Sequence, residues 1–274
     1  MKRSVYSKTA TPEEVDLLKS LKEAFPQGSF TMRELKTEWG DNWNSGKRRT
    51  LDRLRNKGWV ILLEKGKYGF GELVSSDVMN SFVIGTRLVS PSAIAYQSAL
   101  NHYGWTEQIS NVVFVQTTKR KTAKLVQNVR YQFVTVADKK FFGIANEWSG
   151  PAKYQITDPE KTILDCFDLP EYAGGFAEIV KSFYAARKDL DKEKLWQYTE
   201  RLNNQTVMKR IGYVSELYGL EDFAEFRKKA LSRLTKTSSI LDPLSAQTGR
   251  IVYKWRLLLN VSDEALRSMG QGAY

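Results

Sequence analysis

Basic and amide side chains recur at helical spacing between residues 43 and 57. Thr50, Leu51 and Leu54 would share one face of a helix with a 3.6-residue period. The opposite face would carry Ser45, Arg48, Arg49, Arg53 and Asn56. An Arg side chain can donate two parallel hydrogen bonds to guanine, and an Asn side chain can bond adenine in the same two-pronged way. The pattern therefore predicts a helix whose outer face can contact the edges of bases.

The residue types also suggest how the contacts would be divided. We expect Arg49 and Arg53 to face base edges, because Arg forms the commonest specific contact in the major groove. Phosphates, which fix the register of a protein on the duplex, are gripped by cations, hydroxyls and helix N-termini. The residues expected to hold phosphate are Lys47, Arg48, Lys65 and Lys67. Asn44, Ser45 and Asn56 complete the predicted DNA contacts.

The charge of this segment supports a polyanionic partner. Between Asn42 and Lys67 the chain has eight basic and two acidic residues, an excess that makes up more than half of its net charge of +11. An excess of this kind favours nucleic acid or an acidic protein surface as partner. The alternative is a solvated basic helix on a protein-docking module, and the salt dependence of binding would separate the two.

The elements around the basic helix predict a winged helix-turn-helix. A helix begins at Thr11 and Pro12, a second covers about 31–39, and the third ends at Gly58. Two apolar runs, 59–63 and 68–70, then predict a hairpin with Lys65 and Lys67 at its tip. The predicted fold class is α+β, with a mixed α/β C-terminal domain whose second half is helical. The predicted domains are 1–74 (winged helix-turn-helix), 75–89 (connector) and 90–274 (C-terminal domain).

Several elements of the C-terminal domain are predicted individually. The segment from Ser90 to Gly104 has the pattern of a helix, and apolar runs predict strands at 112–115, 131–136, 141–142, 154–156 and 252–261. Thr157 and Glu160 have the spacing of a capping box at a helix N-terminus. Amphipathic helices are predicted from Phe176 to Leu234. A basic cluster at Lys119, Arg120, Lys121 and Lys124 is interpreted as a solvated loop, with a toxin or tRNA contact as the alternatives.

The chain resembles the AbiEi family of abortive-infection antitoxins. The resemblance rests on the order of three features: the N-terminal winged helix, the segment from Ser90 to Gly104 with strands after it, and a later segment that includes Phe141-Phe142-Gly143 and 156–165. It spans nearly the whole chain. It implies a protein that represses its own operon by binding inverted-repeat operator DNA through the winged helix. It also implies that the C-terminal domain counters an AbiEii-type nucleotidyltransferase toxin, with no stable complex required, in defence against phage.

Other classes of function find little support in the sequence. One Cys and one His make a zinc site improbable, no dinucleotide or P-loop fingerprint occurs, and no cofactor is expected. Asp138 and Lys140 have the spacing of a nuclease motif but fall in a predicted turn, so a DNA nuclease is the weaker alternative to a protein without enzymatic activity. Cys166 is expected to be a buried small apolar residue. The lone cysteine and the lack of a signal-like or membrane-spanning run predict a cytoplasmic protein without a membrane partner.

Overall fold

The computed structural model describes residues 9–71, 81–126, 128–150 and 152–271. Helices make up 48% and strands 20%, so the predicted α+β class is confirmed. The helices are α1 (Pro12–Ala24), α2 (Met32–Trp39), α3 (Ser45–Asn56), α4 (Ser81–Leu88), α5 (Gln97–His102), α6 (Pro159–Asp168), α7 (Phe176–Ala186), α8 (Lys192–Leu202), α9 (Gln205–Leu217), α10 (Ala224–Arg233) and α11 (Asp263–Gln271). The strands are β1 (Ser29–Thr31), β2 (Val60–Glu64), β3 (Lys67–Phe70), β4 (Ser92–Ile94), β5 (Val112–Thr117), β6 (Lys124–Val126), β7 (Val129–Thr135), β8 (Ile144–Ser149), β9 (Ala152–Thr157), β10 (Ser239–Ile240), β11 (Arg250–Val252) and β12 (Leu257–Leu259).

The chain divides into two compact units. The first extends to Pro91 and also takes in Asn146–Gln155, and the second comprises Ser92–Ala145 and the chain from Ile156 onward. The boundary predicted between residues 74 and 75 lies outside the described residues, as does the first part of the predicted connector. Its later part, from Ser81 to Leu88, is helix α4. Within the described ranges, no helix is long and apolar enough to cross a membrane.

Three helices and a three-stranded antiparallel sheet form the core of the first unit. Capping boxes begin two of the helices: Thr11 pairs with Glu14 at α1, and Thr31 pairs with Glu34 at α2. The sheet has the order β1-β3-β2, and Gly66, at φ 78°, lies in the turn between β2 and β3. The buried residues of this core are Leu17, Leu18, Leu21, Phe25, Phe30, Leu35, Leu51, Leu54, Val60 and Phe70. The apolar positions of the three predicted helices thus meet in one core.

A six-stranded mixed sheet has the order β6-β7-β5-β4-β9-β8. Strand β4 lies in its interior, antiparallel to β5 and parallel to β9. The prediction of one helix from Ser90 to Gly104 is therefore wrong in its first half, and only α5 is helical. The three residues of β4 are all buried, and pairing on both sides outweighs any local helix preference. The predicted strand at 141–142 is also absent, since Phe141 ends a short 3-10 turn at Asp138–Lys140.

The second half of the second unit is helical from α6 to α10, as predicted. The capping box predicted for Thr157 and Glu160 is wrong by one residue. Asp158 is the N-cap of α6 and accepts a hydrogen bond from the Lys161 amide at 2.9 Å, because Pro159 occupies the first helical position. Glu160 instead accepts a hydrogen bond from the Asp191 amide at 2.9 Å. Two short strands, β11 and β12, take the place of the single strand predicted at 252–261. They belong to a further three-stranded sheet with the order β10-β12-β11.

Helix α6 contributes two residues to a buried polar network in the second unit. Lys161 is fully buried and forms an ion pair and hydrogen bond with Asp165 one turn later. The amide of Gln116 donates to Asp165 Oδ2 at 2.9 Å and to the Tyr96 hydroxyl at 3.1 Å. Burial raises the pKa of Asp165 above its ordinary value, although Lys161 and Gln116 oppose the shift. Cys166, the next residue, is fully buried as predicted, and burial raises the pKa of its thiol.

Candidate nucleic-acid interface

Helix α3 presents a polar face because its apolar residues are held in the core of the first unit. Asn44 is its N-cap and accepts a hydrogen bond from the Lys47 amide at 3.0 Å. Thr50, Leu51 and Leu54 are buried. The exposed residues of the helix are Ser45, Arg48, Arg49, Asp52, Arg53, Arg55 and Asn56. The 3.6-residue period thus separates an inner from an outer face, as the sequence predicts.

Arg48 and Arg49 are the exposed cations of α3 that have no acidic partner among the described residues. In the part of the chain that the structure describes, neither side chain has an ion pair or hydrogen bond to an acidic group. Arg55, by contrast, lies 3.5 Å from Asp52 within the same helix. A free guanidinium keeps all five of its donors for a ligand, whereas a paired one must first give up its carboxylate. Arg48 and Arg49 are therefore the best-placed donors on this face.

Arg53 is held against helix α1. Its Nη2 atom donates to Glu13 Oε2 at 2.8 Å, and its Nε atom lies 3.7 Å from Glu14 Oε1. Thr50 Oγ1 also donates to Glu13, at 2.7 Å. This hydrogen bond, together with Arg53, lowers the pKa of the Glu13 carboxyl below its ordinary value, although desolvation opposes the shift. The predicted role of Arg53 at base edges stays a prediction, but its guanidinium is engaged toward α1.

Glu14 anchors the end of α3 from inside the first unit. It is fully buried, accepts a hydrogen bond from Lys57 Nζ at 2.7 Å and accepts another from the Thr11 amide at 2.8 Å. Burial alone would raise the pKa of this carboxyl, but the bonds from Lys57 and Thr11 hold it below its ordinary value. Two acidic residues of α1 therefore fix the orientation of α3 through the cations on its inner edge.

We expect Glu14→Gln to destabilise the first unit at neutral pH by about 1–3 kcal/mol, because Lys57 loses its charged partner. The lowered pKa means that the contribution of ionised Glu14 is complete above 4.5 and is lost as pH falls through the folded value. The variant should therefore lose less stability on acidification than the original chain. Urea unfolding at two pH values, with hydrogen exchange of α3, measures this. Glu23→Gln, an exposed change on the same helix, is the control; equal curves for both variants would refute the role of Glu14.

The hairpin tip divides its two predicted phosphate ligands. Lys65 is exposed, and the structure as described records no partner for its side chain. Lys67 donates to the carbonyl oxygens of Arg87 and Leu88 at 3.3 and 3.2 Å and lies 3.4 Å from Glu64. Lys67 therefore secures the hairpin to the end of α4, and Lys65 is the cation that the tip presents.

The N-terminal end of α3 borders a groove of about 560 Å³. Lys47, a predicted phosphate ligand, lines this groove and is half-buried. Its ammonium lies 5.0 Å from the ring centroid of Trp39. Sequence reasoning missed two exposed cations on α2, Arg33 and Lys36, which line a second, shallower groove. The helical period of α2 could have revealed them, because Leu35 is its buried residue and both cations lie away from it.

One of the two residues considered for nuclease chemistry, Lys140, is engaged elsewhere. Lys140 Nζ donates to Asp168 at 2.6 Å, and Asp138 lies exposed in a 3-10 turn. A nuclease motif would also need an acidic residue earlier in the chain, for which Asp77 and Glu107 are the candidates. Glu107 lies 3.3 Å from Lys181, and Asp77 is outside the described residues. Among the residues that the structure describes, no group of three His, Cys, Asp or Glu side chains is arranged to hold a metal ion.

Comparison with known structures identifies a similar overall fold. The chain is similar to the crystal structure of the RV2827C protein from Mycobacterium tuberculosis, with a TM-score of 0.66 and 14% sequence identity. The match covers 96% of this chain and 97% of the other. At this identity the likeness concerns the fold alone. No protein-family model and no curated protein matches the chain.

Proposed function

We propose that the chain is a DNA-binding repressor that reads operator DNA through a winged helix-turn-helix at residues 1–74. The observation that carries the proposal is the free outer face of α3, where Arg48 and Arg49 are exposed while Arg53 and Lys57 are held by acidic residues of α1. A helix in the major groove reads sequence with a few outward side chains near its N-terminal half. The antiparallel hairpin with Lys65 at its tip supports the same reading.

The contacts favour a revised division of labour among the candidate residues. Arg49 reads a base edge, and Arg48, Ser45 and Lys65 grip phosphates. Arg53, Lys57 and Lys67 act as positioning residues, because each is bonded to a neighbouring element of the first unit. Asn44 begins α3 as its cap, and Asn56 stands exposed at its end.

The role of Arg53 is tested by freeing it. If Arg53 only positions α3, Glu13→Gln leaves DNA affinity unchanged or lowers it slightly, because the guanidinium loses its anchor. If Arg53 instead reads a base in the complex, Glu13→Gln raises affinity, since no carboxylate has to be released on binding. Titration of both proteins with the same labelled duplex decides between these outcomes. Glu38→Gln on α2 is the matched control, because it removes an exposed carboxylate and changes the net charge by the same amount.

We propose further that the second unit serves as an antitoxin in an abortive-infection system of the AbiEi type. This part of the proposal rests on the resemblance of the motif order across the chain. Co-expression with a nucleotidyltransferase-like toxin encoded beside the gene is the test. The expected result is restored growth that survives removal of Arg48 and Arg49, because toxin neutralisation is assigned to the second unit. If the chain with its second unit intact does not restore growth, the antitoxin role is refuted.

Protection of the DNA upstream of the gene from nuclease cleavage tests the operator reading. We expect two protected half-sites related by an inverted repeat, since two copies of an asymmetric reader occupy a palindromic site with opposite orientations. Half-sites should lie on one face of the duplex, at a spacing of whole helical turns. Uniform protection, or none at concentrations that saturate non-specific binding, would contradict this proposal.

A further inference from the structure

A second concentration of positive charge lies in the second unit. The thirty residues from Gln108 to Ala137 include five cations and not a single Asp or Glu. The cations are Lys119, Arg120, Lys121, Lys124 and Arg130, here called the basic edge. The segment folds into β5, β6, β7 and their connections. Lys119, Arg120 and Lys121 lie in the connection between β5 and β6, where a loop was predicted, and Lys124 begins strand β6.

The basic edge follows the outer strand of the six-stranded sheet. Strand β6 lies at one edge of the sheet, and it pairs with β7 so that Leu125 faces Arg130 and Lys124 faces Tyr131. At the other end of β7, Thr135 Oγ1 donates to the Lys119 carbonyl at 3.3 Å. Arg130 and Thr135 are five residues apart on one strand, so the cations extend along about 17 Å of the margin.

Four of the five charges of the basic edge lack, among the described residues, the neutralisation found elsewhere in this unit. Lys119, Arg120 and Arg130 are exposed, and neither they nor Lys124 form an ion pair within the described parts of the chain. Lys121 lies over the Phe133 ring, 5.5 Å from its centroid. Several other cations of the same unit are paired: Lys229 with Glu193, Arg233 with Glu200 and Arg250 with Asp263, at 2.6 to 2.8 Å. Neighbouring unpaired cations repel one another, and a polyanion would relieve that repulsion.

We infer that the basic edge binds the phosphate backbone of nucleic acid without reading its sequence. A line of cations suits a line of phosphates, and counterion release then supplies the free energy of binding. An acidic protein partner is less favoured, because a protein interface is built around an apolar and aromatic centre. Leu125 is a large apolar residue exposed on this margin, and one such residue does not make an apolar centre. The inference goes beyond the proposed operator reading, since it concerns different residues in a different unit.

The test uses the full chain and a variant with Lys119, Arg120, Lys124 and Arg130 changed to Gln. The matched control changes Lys188, Lys228, Arg233 and Arg250 to Gln, which removes the same number of lysines and arginines from exposed positions of the same unit. The probes are a DNA duplex of shuffled sequence, single-stranded DNA of the same length, and an RNA duplex. Affinity is measured over a series of salt concentrations, and hydrogen exchange verifies that both variants fold.

We expect the basic-edge variant to bind the preferred probe about tenfold more weakly at low salt, with a salt slope lower by about 2–3, because each lost phosphate contact removes roughly one counterion. The three probes reveal which form of nucleic acid the edge prefers. Equal losses in the variant and its control would reduce the effect to net charge and overturn the inference. No loss on any probe would also overturn it and would favour an acidic protein partner. Loss of sequence selectivity in Arg49→Ala is scored separately, so the operator proposal can fail or stand independently.

Discussion

Changing Arg49 to Ala should weaken binding to the operator by about 1–3 kcal/mol and blunt the preference at one base pair. The reason is that its exposed guanidinium has no acidic partner among the described residues, so its donors are free for a guanine edge. Arg48→Ala should instead weaken binding to every sequence and lower the salt slope by about one. Measurement with a set of operator duplexes, each changed at one position, separates the two patterns.

Arg55→Ala is the matched control for both changes. It removes an Arg from the same exposed side of α3, but one that lies 3.5 Å from Asp52. We expect it to have a small effect on affinity and none on base preference. A uniform loss in Arg49→Ala across all duplexes would show that Arg49 contacts only phosphate. Equal effects of all three changes would show that α3 contributes charge and no specific contact.

The second large effect concerns stability. Lys161→Met should destabilise the second unit by about 3–5 kcal/mol, because Asp165 would remain buried without its cation. Asp165→Asn should be costly for the reciprocal reason, and Lys161→Met combined with Asp165→Leu should cost much less than the sum of the two single losses. Urea unfolding of the singles and the double gives their coupling free energy. Additive losses would show that the buried pair has no special weight.

The same variants should respond to pH in a defined direction. The folded pKa of Asp165 is raised above 3.8 by burial, and removal of Lys161 raises it further. A carboxyl that takes up a proton more readily in the folded state stabilises that state as pH falls toward 3.8. The deficit of Lys161→Met relative to the original chain should therefore shrink on mild acidification. A deficit that grows under these conditions would contradict the assigned pair.

The helical period predicted much of the candidate interface, because one period decides both what is buried and what is exposed. Leu51 and Leu54 face the core, so Arg48 and Arg49 face outward. Arg53 lies at the border of the two faces, and its partner Glu13 is forty residues earlier in the sequence. The partners of Lys67 are likewise distant carbonyl groups at the end of α4. Local spacing shows the position of such a cation on its own helix or hairpin. It gives no information on the distant element to which the side chain bonds.

Strand β4 illustrates the corresponding limit for the fold. Ser92, Ala93 and Ile94 are compatible with the first turn of a helix, and Gln97 to His102 continue that pattern. Two neighbouring strands complete the backbone hydrogen bonds of β4, and both come later in the chain. The shift of the predicted capping box from Thr157 to Asp158 has a local cause, because Pro159 sets where α6 begins.

Binding of the purified full chain to the DNA upstream of its own gene, against a shuffled duplex of the same composition, tests the central claim most directly. The account predicts tighter binding to the upstream duplex at every salt concentration, with affinity for both duplexes falling as salt rises. It also predicts that Arg49→Ala narrows the difference between the two duplexes. Equal affinity for both duplexes with the original chain would contradict the claim that α3 reads DNA sequence.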